Sequence, residues 1–136
     1  MGIAIAFFIG FVAGLRAMTA PAAVAIERRS WVLSTIFILV AAVELVFDKL
    51  PRTPSRLQAP PLAARCISGA ACAFFLAGGI GSAALGMLGA LAGSYGGAAF
   101  RARFPGLPAA LVEDAVAVGL ALCLVGLSQR GLPQNM

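Results

Sequence analysis

From Ile3 to Leu127 the chain is a series of long apolar runs, broken only by short polar, glycine-rich or proline-rich stretches. Each run is close to the ~20 residues a helix needs to cross a bilayer. Of 136 residues, 61% are hydrophobic and 11% charged, whereas soluble domains carry about 25% charged residues. A soluble protein this apolar has too few polar groups to cover its surface, and lipid removes that requirement. The expected fold is therefore all-α: a single-domain polytopic membrane bundle of about five transmembrane helices, with a possible break in the first.

The first helix is expected from Ile3 to Ile26, stopping at Glu27-Arg28-Arg29-Ser30. Its run has no basic leader and contains Arg16, so it reads as a retained helix, not a signal peptide. The second spans Trp31 to Phe47, with Trp31 at the interface where aromatics anchor. Pro51, Pro54, Pro60 and Pro61 make 48–61 a stiff connection, and the last two suit the start of a third helix, Leu62 to Ala77. Gly78-Gly79-Ile80-Gly81 is the tightest turn signal before a fourth helix, Ser82 to Phe100. A basic loop, Arg101 to Pro108, leads to the fifth, Ala109 to Leu127. Two spans fit tightly into 62–100, and a re-entrant pair is the alternative there.

Five spans put the N-terminus, Lys49, Arg52, Arg56, Arg65, Arg101 and Arg103 on one face, against Arg28, Arg29 and Arg130 on the other. Positive charge marks the cytoplasm, which predicts a cytoplasmic N-terminus and an external C-terminus. The net charge of +5 reads as topology signal. No basic stripe with interleaved aromatics points to nucleic acid. Histidine is absent, and Cys66, Cys72 and Cys123 form no CxxC pair. No metal or cofactor pattern exists, and nucleophilic catalysis loses its usual base. Only carboxylate chemistry remains for an enzyme, and no hydrolase signature accompanies it.

The informative residues are charges inside apolar runs, because a mid-bilayer charge costs roughly 2.5–3.5 kcal/mol on insertion scales. Arg16 lies within the first helix, and Pro21 downstream frees a carbonyl near Ala17, which Thr19 is placed to compensate. Gly14 to Pro21 is thus a candidate discontinuity. Glu44 and Asp48, four residues apart, share one helix face. Glu113 and Asp114 lie early in the fifth helix, and Arg65 one turn into the third. These residues converge on one depth in the half of the bundle facing the cytoplasm, with Glu44 the first expected partner of Arg16 and Asp114 the next. The fourth helix brings no charge to that depth. The set reads either as ion pairs that fix helix register or as the lining of a hydrated site for an ion or small polar solute. In the 49–56 connection, Arg52, Ser55 and Arg56 are candidates for an anion or lipid phosphate. Gly10 and Gly14, then Gly89, Gly93 and Gly97, then Ser82, Gly86 and Ala90, form small-residue rows that let helices approach closely. They serve packing within a subunit or a homo-oligomer interface.

The stretches Gly10 to Pro21, Glu44 to Arg56, Leu62 to Gly69 and Leu111 to Gly119 resemble the small bacterial membrane proteins of domain-of-unknown-function family 4126. The resemblance covers nearly the whole chain. It implies a membrane location and no activity; the expected setting is the bacterial inner membrane, crossed several times, with membrane lipids as partners. The functional expectation is a small transporter or channel. The alternative is a lipid-binding or structural membrane protein.

Overall fold

The computed structural model describes residues 2–48, 50 and 57–131. Among them the chain is 89% helical, in six helices and no strand. The helices are α1 (Gly2–Leu15), α2 (Thr19–Glu27), α3 (Trp31–Phe47), α4 (Ala59–Ala77), α5 (Gly79–Arg103) and α6 (Leu107–Gly131). Three of them, α4, α5 and α6, are long and apolar enough to cross a membrane, while α1 and α3 are apolar but shorter. That is fewer than the five full spans expected from the sequence.

The difference arises in the first apolar run. It is two helices, and the chain reverses between them at Arg16-Ala17-Met18. Three contacts with α4 establish the reversal. A Cβ on Gly2 would lie 3.9 Å from the Ala77 Cβ. Ser68 Oγ donates to the Ala17 carbonyl at 2.6 Å, and Arg28 Nη2 donates to the Phe75 carbonyl at 2.7 Å. The chain thus passes down α4 from Ala77 to Ser68 and returns to Phe75. With 14 residues, α1 is about 21 Å long at 1.5 Å per residue, short of the ~30 Å hydrocarbon core. A re-entrant helical hairpin therefore replaces the single span from Ile3 to Ile26. In 62–100 the two expected helices are present and the re-entrant alternative is not: α4 and α5 are long helices joined at Gly78. Both Gly78 and Gly79 take positive φ, of 73° and 82°, which only glycine adopts freely.

The break falls inside the anticipated Gly14–Pro21 stretch, for a different reason. Pro21 sits in the first turn of α2, where its missing N–H costs nothing. The freed carbonyl is that of Ala17, as expected, but Ser68 supplies its donor in place of Thr19. α2 ends in a Schellman pattern: Arg29 N donates to the Ile26 carbonyl and Ser30 N to that of Ala25. Arg29 holds the left-handed position at φ 53°, a conformation that costs a non-glycine residue roughly 1–3 kcal/mol.

The core is built from small residues. α1 and α5 run parallel, because Gly10 meets Gly86 while Gly14 meets Ala90 and Ser94. α4 runs antiparallel to both, and the three meet where Gly69 faces the Gly86 carbonyl and the Gly10 Cα, at 2.8 and 3.2 Å from an added Cβ. A Cβ on Gly89 or Gly93 would strike the carbonyl of Phe7 or Phe11. Gly97 is buried on the same helix. These rows therefore serve packing within the chain, where lipid offers no hydrophobic drive and close backbone approach replaces it. α6 closes the bundle through Ala117, Ala121, Leu124 and Val125. α3 buries none of its residues and packs chiefly on α2.

The reversal also changes the arrangement of the ends. The hairpin tip, the end of α3, the start of α4, the end of α5 and the start of α6 gather at one end. The N-terminus, the α2–α3 turn, Gly78 and the end of α6 gather at the other. The expectation that the N-terminus shares a face with the α3–α4 and α5–α6 connections is corrected: residue 2 lies opposite them.

Candidate functional site

The tip of the hairpin carries the site. At the end of α1, Arg16 is 1% exposed despite its size. Its Nη1 donates to Asp48 Oδ2 at 2.8 Å, and its Nη2 pairs with Asp114 Oδ1. Asp48 follows the last turn of α3 and Asp114 lies two turns into α6, so one guanidinium ties three elements together. Bridging two carboxylates through separate nitrogens suits the planar arginine fork.

Glu44 does a different job from the one expected. Its two carboxylate oxygens accept the backbone N–H groups of Ala17 and Met18, at 2.9 and 3.0 Å. These are orphan donors at the start of α2, where the helix dipole favours an anion. Glu44 Oε1 also lies 3.9 Å from Arg65 Nη2. The expectation that Glu44 is the first partner of Arg16 is thus corrected to Asp48 and Asp114. The shared face of Glu44 and Asp48 is borne out: one secures the backbone of the break and the other its side chain.

Glu113 and Asp114 are adjacent, so they leave α6 about 100° apart and reach different partners. Glu113 is buried and accepts from Arg101 Nε at 2.7 Å, and Arg101 Nη2 lies 3.9 Å from Asp48 Oδ2. By sequence Arg101 belongs to the expected basic loop, Arg101 to Pro108. It is helical because α5 continues to Arg103 before Pro105 and Gly106. The fourth expected helix therefore does bring a charge to the cluster. The result is an alternating chain, Glu113–Arg101–Asp48–Arg16–Asp114, beside the pair Glu44–Arg65. Among the described residues it holds three arginines and four of the five acidic residues of the protein.

Two serines complete the backbone of the break. Ser68 serves Ala17, as above, and Ser94 Oγ donates to the Gly14 carbonyl at 3.2 Å. Small hydroxyls inside apolar runs were the available signal for both. Thr19 opens α2 and lines a groove between α2, α3 and α6, apart from the ion pairs. Arg16 Nε is buried without a hydrogen-bond acceptor among the described residues. Arg52, Ser55 and Arg56 lie outside the described residues, as does Lys49. No group of three or more metal-ligating side chains occurs among the described residues.

Among the described residues, four of the grooves along the bundle are lined without Arg16, Asp48 or Asp114. One, of ≈260 Å³ between α1, α5 and α6, is lined by Glu113. Compared with known proteins, the chain matches no family model, no curated protein and no solved structure.

Proposed function

We propose that this chain is a multi-pass protein of the bacterial inner membrane that passes an ion or small polar solute through the arginine–carboxylate chain beneath its re-entrant hairpin. The observation that carries the reading is the hairpin tip. A helix broken inside an apolar bundle places Arg16 between carboxylates from two other helices, and the freed N–H groups of the break hold a third. Irregular backbone at membrane depth is tolerated where protein or a hydrated cavity satisfies it, and broken helices with polar tips are a habit of transporters. The carboxylates of the chain are the groups that take up a proton or a monovalent cation. Glu113 lines a groove, and it is the point of entry to the chain of charges.

Arg65, Arg101 and Arg103 lie on the α4 and α5 segments of the charged end, against Arg28, Arg29 and Arg130 at the other. Lys49, Arg52 and Arg56 belong to the connection between α3 and α4. The positive-inside rule then places the charged end in the cytoplasm and both termini outside. The resemblance to family 4126 belongs to this proposal. Self-association, no longer needed to explain the glycine rows, moves to α3 and to the open outer face of Gly119 and Gly126.

The test is flux in liposomes under imposed pH and voltage gradients, with proton, sodium and potassium compared. Wild-type flux that Asp48→Asn or Asp114→Asn abolishes supports the proposal. A folded wild-type protein with no flux under any gradient overturns it. A second reading is a lipid-binding or structural protein with a permanently paired cluster. What favours it is that Arg16 lines none of the four grooves described above.

A further inference from the structure

We infer that the groove between α2, α3 and α4 binds one acyl chain of an anionic phospholipid, whose phosphate is held by Arg28 at the groove's outer end, with Arg29 adding a second positive charge next to it in the chain. The inference rests on the membrane reading above and is independent of transport. α3 packs chiefly on α2 and stands away from α4, which leaves a groove of ≈370 Å³. Its walls are Val24 and Ala25 of α2, Leu33 and Phe37 of α3, and Ala71 and Cys72 of α4. A peptide laid there would bring backbone N–H and C=O groups into a wall that offers no partners. Ser68, the one hydroxyl of the lining, already donates to Ala17. A hydrocarbon chain makes no such demand.

Charge is confined to one end. Arg28 donates to the Phe75 carbonyl at 2.7 Å, and its guanidinium lies 5.6 Å from the centre of the Phe75 ring. That contact fixes the side chain at the groove mouth and leaves the exposed remainder of its fork for a phosphate. Arg29 follows, exposed, in the left-handed position where glycine is the unstrained choice. Against the one acid beside them, Glu27, the pair leaves this turn positive. These arginines also lie on the face that the positive-inside rule leaves poor in basic residues, so topology does not account for them. Trp31, 87% exposed at the start of α3, marks the headgroup level beside them.

Trp31 is the only tryptophan and lies outside the groove, so Trp31→Phe combined with Phe37→Trp moves the one reporter into the groove lining. This protein is reconstituted into phosphatidylcholine vesicles that contain an equal fraction of chain-brominated phosphatidylglycerol or chain-brominated phosphatidylcholine, and tryptophan quenching is titrated. The expected preference for phosphatidylglycerol is about fivefold per arginine. Arg28→Gln should lower it. Arg29→Gly should lower it too, while relaxing the backbone and preserving the fold. Ala71→Phe, which fills the groove from an exposed position and keeps both arginines, should lower it as well. Equal quenching by the two lipids overturns the site and leaves membrane insertion standing. A preference that survives Ala71→Phe overturns the groove. Quenching by neither lipid overturns the membrane reading itself.

Discussion

Replacing Arg16 with Met removes the shared partner of two carboxylates in a bundle where that side chain is 1% exposed. Breaking a buried pair from one side costs about 3–5 kcal/mol, because charge is left behind without its compensation. Asp48 keeps Arg101 at 3.9 Å, which places the expected loss toward the lower end. Asp114→Asn keeps the shape of the side chain and leaves Arg16 bonded to Asp48. It removes one charge-assisted hydrogen bond and should cost about 1.5–3 kcal/mol. In the double variant the carboxylate at 114 is gone along with the guanidinium. Its loss should therefore fall short of the sum by about 0.5–3 kcal/mol, the range of coupling for residues in direct contact. The same cycle with Glu44→Gln should show a clearly smaller coupling, since Glu44 bonds the backbone of Ala17 and Met18 and not the Arg16 side chain. The assay is reversible denaturant unfolding in detergent micelles, followed by circular dichroism, for wild type, the single variants and both doubles. Coupling with Asp114 within about 0.5 kcal/mol of additivity, or coupling larger with Glu44, would refute the reasoning.

Ser68→Ala takes the hydroxyl from the Ala17 carbonyl and should lower stability by about 1–3 kcal/mol, measured in the same unfolding assay. Gly89→Ala drives a Cβ into the Phe7 carbonyl, with the Phe11 nitrogen at 2.8 Å, and should cost about 1–3 kcal/mol through overpacking. Gly96→Ala, in the same helix and with nothing within 4 Å, is its matched control and should be neutral or slightly stabilising. Equal effects at the two glycines would mean that α1 and α5 are not in close contact. Glu44→Gln removes the anion at the start of α2 and should cost up to about 2 kcal/mol, with increased amide exchange at Ala17 and Met18 as its local signature.

Much of the secondary structure was legible because apolar length and proline chemistry act locally. α3 matches its expected bounds, Trp31 to Phe47, and α4 starts with Pro60 and Pro61 in its first turn. The reversal at Arg16 was not legible as a reversal. A run of apolar residues has the same composition whether it spans once or turns back, and what selects the turn is tertiary. Ser68 takes the Ala17 carbonyl, Ser94 takes that of Gly14, and Glu44 takes two N–H groups, all from other helices. The candidate site fared in a parallel way. Charge in an apolar setting singled out Arg16, Glu44, Asp48, Arg65, Glu113 and Asp114, and the fold brings all six to one end. Their pairing depended on helix rotation, which a hydrophobic pattern without a polar face does not encode, so Glu44 was assigned the wrong partner. Arg101 was missed because a basic residue near a helix end has the same sequence signature as a topology signal.

The re-entrant hairpin is the claim from which the site follows, and a single distance tests it. Ile3 and Ile26, both exposed, bound the first apolar run. With Cys66, Cys72 and Cys123 replaced by Ala, spin labels at Ile3→Cys and Ile26→Cys in reconstituted protein report their separation by electron paramagnetic resonance. Helices lying side by side, with axes 8–10 Å apart, predict a distance of about 20 Å or less once side chains and label arms are included. One continuous helix across the membrane would separate the labels by about 35 Å at 1.5 Å per residue. That result would contradict the hairpin and the placement of Arg16 between Asp48 and Asp114.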